Sequence, residues 1–103
     1  KLLIANLVEK KAYHNWKLLI GPQVNFFNQF KNKKFDFCHY DSDKSYQGRM
    51  YAYSKIWDSL KKKSVLLSDD ISDNMAFFHF CKNKSKTPYV IKFKKKYLGL
   101  ILK

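Results

Sequence analysis

Arginine is almost absent from this 103-residue chain: of its 21 basic residues, all but Arg49 are lysine. Proteins that read nucleic-acid sequence favour arginine, whose flat fork pairs bidentately with guanine and phosphate. The net charge of +13 is therefore a diffuse polyanion attractant rather than a recognition code. Glycine is nearly as scarce. The three glycines form no G-x-G pattern, which excludes a glycine-rich phosphate cradle within these residues. Only two cysteines occur, Cys38 and Cys81, with no metal-ligand spacing, and they read as free thiols of a reducing compartment. No apolar run approaches the ~20 residues of a membrane span, and no signal-peptide pattern opens the chain, so the expected location is cytoplasmic. Acidic residues number only 8, so any place where several of them gather stands out.

What is present suffices for one core. The chain is 46% hydrophobic and 17% aromatic, and its length suits a single domain over 1–103. Leu3, Ile4, Leu7 and Val8 predict a helix over residues 2–13, and Trp16 to Ile20 a short strand ending at the Gly21-Pro22 turn. Val24, Phe27 and Phe30 share a helical face. Phe35 to Tyr40 reads as a central strand, with His39 packed in the core. Met50, Tyr53, Trp57 and Leu60 step by three or four, the clearest helix in the chain, and place Trp57 in the core with Tyr46 beside it. Val65 to Leu67 is a further strand. Met75, Phe78 and Cys81 mark a helix with Asp73 as its cap, and His79 has no evident partner. Tyr89, Ile91 and Phe93 alternate, Lys94-Lys95-Lys96 intervene, and Tyr97 to Leu102 is apolar again, which predicts a β-hairpin. Alternating strands and helices imply an α/β fold with a mostly parallel sheet, helices on both faces and a C-terminal antiparallel hairpin.

Ligands of open α/β sheets lie off the carboxyl ends of the strands. Half of the acidic residues sit at two such ends: Asp41 and Asp43 after one strand, Asp69 and Asp70 after the next. Adjacent carboxylates repel unless a cation lies between them, and such oxygens suit a hard ion such as Mg²⁺. Helix capping is the plainer account of any one of them, since Asp is a preferred cap.

The run Phe35 to Tyr46, with its Asp41-Ser42-Asp43-Lys44 segment, then a helix ending Trp57 to Leu60, then Val65 to Ile71 with Asp69-Asp70, resembles the second half of class I S-adenosylmethionine-dependent methyltransferases. The likeness runs over residues 16–103 and is nearest to cation-dependent small-molecule O-methyltransferases and their bacterial relatives. It implies a Rossmann-like half-domain lacking the glycine-rich strands that hold most of the cofactor. It implies Asp41, Asp69 and Asp70 as metal ligands and Lys44 as catalytic general base. Gly21, Gln23 and Asp41 are implied at the cofactor, S-adenosylmethionine. A metal-independent variant would use Asp41 and Asp70 directly on cofactor or substrate.

The expected function is methylation of a small hydroxylated acceptor, with Mg²⁺ or another divalent cation as an aid, by a chain inactive alone. Lys63-Ser64 stands where the family has Gly-Gly, which leaves the sharpness of that turn open. With part of the sheet missing, either a homo-oligomer that completes it or a rearranged compact sheet is expected. The alternative is a non-catalytic basic α/β module that binds an anionic partner such as nucleic acid; a third reading is a structural remnant without a ligand.

Overall fold

The structure is a computed structural model and describes residues 32–103. The elements expected within residues 2–30 lie outside the described residues. Those described run β1 (Phe35–Tyr40), α1 (Tyr46–Ser59), β2 (Leu60–Ser68), a 3₁₀ turn (Ile71–Asp73), α2 (Ala76–Asn83), β3 (Tyr89–Phe93) and β4 (Lys96–Leu102).

The four strands form one sheet in the order β1-β2-β4-β3. β1 and β2 are parallel, with α1 as their crossover, and pair Cys38 with Leu66 and Tyr40 with Ser68. β4 inserts antiparallel between β2 and its hairpin partner β3, pairing Leu66 with Ile101 and Ile91 with Leu98. The order of elements is the one the residue pattern predicts. Among the described residues, however, the sheet has one parallel pairing and two antiparallel ones.

Helix α1 starts where Ser45 Oγ accepts the Gly48 N–H at 3.0 Å, so Ser45, rather than an aspartate, is its cap. It ends without a loop, because Leu60 is already extended at φ −83° and ψ 137°. At this junction the Leu60 N–H donates to the Trp57 carbonyl, and the Lys103 ammonium donates to the Trp57 and Leu60 carbonyls. β2 is longer than its apolar stretch suggests. Phe35 pairs with Leu60 but Phe37 with Val65, so Lys61 to Lys63 bulge out of register. Lys63 lies at φ 66°, in the left-handed region glycine would prefer. The sharp turn is thus made without Gly-Gly, at a strain of about 1 kcal/mol.

Helix α2 buries Ala76, Phe77, Phe80 and Cys81, while Met75 is exposed and Phe78 only partly covered. Its inward stripe is therefore rotated by about one residue from the expected Met75-Phe78-Cys81 face. Asp73 falls in the 3₁₀ turn, and Asn74 Oδ1 instead accepts the Ala76 N–H at 3.0 Å.

Both helices cover the same face of the sheet. Tyr53 of α1 meets Tyr40, Phe77 and Phe80 with ring centroids 5.3, 6.0 and 5.4 Å away, and Trp57 meets Phe80 at 5.5 Å. Leu66 and Ile101 complete this core from the strands. Because side chains alternate along a strand, the covered face takes Tyr40 and leaves His39 exposed, contrary to its expected packing. Trp57 is buried as expected; Tyr46 is exposed. Cys38 and Cys81 are free, and burial pushes each thiol up to about 11. No described helix is long and apolar enough to cross a membrane.

At Gly99 the backbone of β4 passes directly beneath Phe77. A Cβ there would lie 2.3 Å from the Phe77 ring. Gly99→Ala is therefore expected to destabilise the fold by about 2 kcal/mol, as overpacking of a rigid aromatic contact does. Urea unfolding followed by circular dichroism measures it; an unchanged midpoint would show that the two elements separate freely.

Candidate functional site

The parallel strands β1 and β2 end side by side, and the Asp69 N–H donates to the Tyr40 carbonyl at 2.9 Å. Two loops leave from these ends, one carrying Asp41 to Ser45 and one carrying Asp69 to Met75. Their carboxylates converge on one ammonium. Lys44 Nζ lies 3.4 Å from Asp69 Oδ2, 3.4 Å from Asp70 Oδ2 and 3.6 Å from Asp41 Oδ1. Lys96, at the start of β4, adds a second ammonium 3.6 Å from Asp69 Oδ2. Thus four of the residues singled out in the sequence stand together, and Lys96 joins them from a strand 26 positions beyond Asp70. Gly21 and Gln23 lie outside the described residues.

Asp43 stands apart. Its Oδ1 accepts the Ser45 N–H at 2.9 Å and its carbonyl accepts the Tyr40 hydroxyl at 2.6 Å, so it shapes the turn that launches α1. The Ser45 backbone bond holds its carboxyl below the usual range. Capping does not account for the other carboxylates. Asp70, left-handed at φ 49°, makes no side-chain cap bond to the 3₁₀ turn, and Asp69 faces the two lysines.

Arg49 holds these loops in place. It is 1% exposed, although it carries a permanent charge. Its Nε donates to the Lys44 carbonyl at 3.2 Å, one terminal nitrogen to the Asp69 carbonyl at 3.1 Å and the other to the Asp70 carbonyl at 2.7 Å. The first terminal nitrogen also reaches the Tyr53 hydroxyl and Ser68 Oγ, at 3.0 and 3.2 Å. Asn74 Nδ2 donates to the same Lys44 carbonyl at 2.9 Å. Neither periodicity nor motif points to Arg49. The available signal is a lone arginine among lysines, four residues before Tyr53 on the apolar face of a helix. His79, without an evident partner in the sequence, meets the Tyr46 hydroxyl at 2.9 Å.

Burial by itself would lower the pKa of Lys44. Attraction from Asp41, with hydrogen bonds and attraction from Asp69 and Asp70, outweighs it and raises that pKa above the ordinary lysine value. Three carboxylates favour the charged form. Burial likewise pushes Asp69 up, but Lys96 and Lys44 together bring it below the usual carboxylate value. Asp41, Asp69 and Asp70 do not form a metal cage: among the described residues, no three acidic, histidine or cysteine side chains group as a ligand set. The expected cation ligands instead surround an ammonium, and this arrangement does not fit a divalent ion.

The opposite end of the sheet is basic. Burial, with repulsion from Lys34 and Lys84, lowers the pKa of Lys103 there.

A family model described as a methyltransferase domain matches residues 3–71, well over half of the chain and inclusive of both acidic strand ends. The chain belongs to that family. Among solved structures, this methyltransferase domain matches the O-methyltransferase from Bacillus cereus, determined in complex with SAH. The TM-score is 0.59 at 18% identity, over 81% of this chain and 48% of that one. At such identity the likeness is one of fold, and the domain spans about half the length of that structure. No curated protein matches the sequence.

This geometry has two measurable consequences. Arg49→Lys keeps the charge but offers one point donor for carbonyls that a planar fork now reaches, so stability is expected to fall by about 3 kcal/mol in urea titration. Retention of the wild-type midpoint would mean that the loops hold themselves. The second concerns pH. Asp69 is shifted below its unfolded value of about 4, so its contribution is full above that value and vanishes as pH falls beneath it. Lys44 is shifted above its unfolded value of about 10, so its contribution persists at neutral pH and is lost only as pH rises through the folded value. Thermal melts should be level from about pH 5 to about pH 8, above which the unfolded chain ionises the two thiols that burial keeps protonated, and Asp69→Asn should make the acid limb shallower than in wild type. An unaltered acid limb would remove Asp69 from the account.

Proposed function

We propose that the chain forms the acceptor-side part of an S-adenosylmethionine-dependent methyltransferase that methylates an oxygen of a small hydroxylated molecule. One observation carries the reading. In a chain of this family, Asp41, Lys44, Asp69 and Asp70 gather at the carboxyl ends of adjoining parallel strands, where open α/β sheets bind their ligands.

The donor set suits such a cofactor. Three carboxylates against two ammoniums leave about one negative charge, in a protein of net charge +13. That locus attracts a cationic molecule that the rest of the surface repels. The bound cofactor would supply the methyl group as an electrophile. Asp41 is the most exposed of the carboxylates, at 54%, and is free to accept hydrogen bonds from hydroxyl or ammonium groups. Lys44, held in its charged form, would donate to the acceptor oxygen and stabilise negative charge as it develops there. With that hydroxyl's pKa lowered, an adjacent carboxylate can take the proton. Lys44 thus serves the reaction centre as a cation instead of the expected base.

Arg49 would keep the site preorganised through backbone carbonyls. A second copy could pair with the edge strand β3, whose Tyr89, Val90, Ile91 and Phe93 are all exposed. The same exposed strand supports association of copies more than it supports nucleic-acid binding.

Calorimetric titration with SAH tests the reading. Binding is expected in wild type, at least tenfold weaker in Asp41→Asn, and unchanged in Asp58→Asn, which lies at the far end of α1. Folded wild-type protein that gives no heat would count against cofactor binding by this chain.

A further inference from the structure

We propose that Lys44 is the resident cation of this site: its ammonium holds Asp41, Asp69 and Asp70 together, and the centre works without a divalent ion. The proposal rests on the methyl-transfer reading of the same site and specifies its electrostatics.

The geometry is that of a cation within a carboxylate ring. One oxygen from each of three aspartates lies 3.4 to 3.6 Å from a single Nζ. The aspartates come from two loops that leave different strands, so their convergence is a tertiary event with no counterpart in local sequence. Without a positive charge at that point, three carboxylates would repel one another. Lys96 contributes a second ammonium to Asp69 Oδ2, the same oxygen that faces Lys44. Two of the three negative charges are therefore balanced by side chains of this chain.

The root of Lys44 is also fixed. Its carbonyl accepts from both Arg49 Nε and Asn74 Nδ2, which anchors the backbone of the residue beside the carboxylates it neutralises. Mg²⁺ binds oxygen at about 2.0–2.1 Å in a nearly octahedral shell. To enter, it would have to expel the ammonium from the ring and then tolerate two lysines close by. Repulsion of like charges opposes both steps. An ammonium also differs from a metal ion in what it can offer an acceptor. It donates directional hydrogen bonds and carries a single charge, so it favours one oxygen at a time over chelation of two.

Uptake of Mn²⁺ by folded protein, read from the loss of the free-ion electron paramagnetic resonance signal, tests this without any assay of activity. Wild type is expected to bind Mn²⁺ no more tightly than about 1 mM. Lys44→Met should bind at least tenfold more tightly, because the carboxylate ring loses its cation, and Lys44→Met/Asp69→Asn should lose that gain. Lys44→Gln, a polar replacement, should gain affinity in the same way and guards against misfolding of the methionine variant. Tight uptake by wild type that Asp69→Asn abolishes overturns the proposal, as does a failure of both Lys44 variants to gain affinity. SAH calorimetry on the same preparations separates the two readings. Loss of SAH binding alone bears on methyl transfer, whereas Mn²⁺ uptake by wild type that still binds SAH bears on Lys44.

Discussion

A guanidinium buried among backbone carbonyls is the constraint on which this structure depends. Arg49 directs its donors to the carbonyls of Lys44, Asp69 and Asp70, groups from two loops that share no strand or helix. Loops at strand ends ordinarily satisfy their backbone with water and move accordingly. Here a rigid fork from the first turn of α1 satisfies them, so the helix sets the separation of the two acidic loops. Burying that charge is tolerable because its donors are met by oxygens and the Asp43 carboxylate feels its attraction. The Tyr53 hydroxyl and Ser68 Oγ, 2.6 Å apart, close the network toward the core. The apolar packing of Tyr53 and the polar order of the site are thus one arrangement.

Charge in this molecule is sorted along the strands. Carboxylates collect at the carboxyl ends of β1 and β2, whereas Lys34, Lys84 and Lys103 crowd the other end. The parallel pairing of β1 and β2 makes this sorting possible, since it brings two sequence-distant carboxyl ends to the same edge. An antiparallel pair would have placed Asp41 and Asp69 at opposite ends of the sheet. The sorted charge gives a lysine-rich surface one locus where a cationic ligand is welcome.

Scarcity of glycine has a structural consequence. Among the described residues, the left-handed backbone positions fall to Lys63, Asp70, Ser85 and Lys94, each at a modest steric cost. Asp70 is the instructive case, because that conformation at the end of β2 accompanies the turn of its carboxylate toward Lys44. Gly99 is kept where nothing else fits, under the Phe77 ring.

Periodicity and turn residues make β1, α1, the hairpin of β3 and β4, and the clustering of aspartates at strand ends legible from residue order, because each is a local pattern. The resemblance carried by Asp41 to Lys44 and by Asp69-Asp70 also identified the family. Local pattern could not rotate the inward stripe of α2 to Phe77 and Phe80, since that depends on the ring of Tyr53 already being there. Nor could it expose His39, place Asn74 in the role expected of Asp73, or bury the lone arginine. The largest gap lies at the site itself. Residue order shows which carboxylates stand at strand ends, but their convergence on one ammonium is a matter of folding. Lys44 is three residues from Asp41 but 25 from Asp69, and only the parallel pairing of two strands brings its ammonium between them.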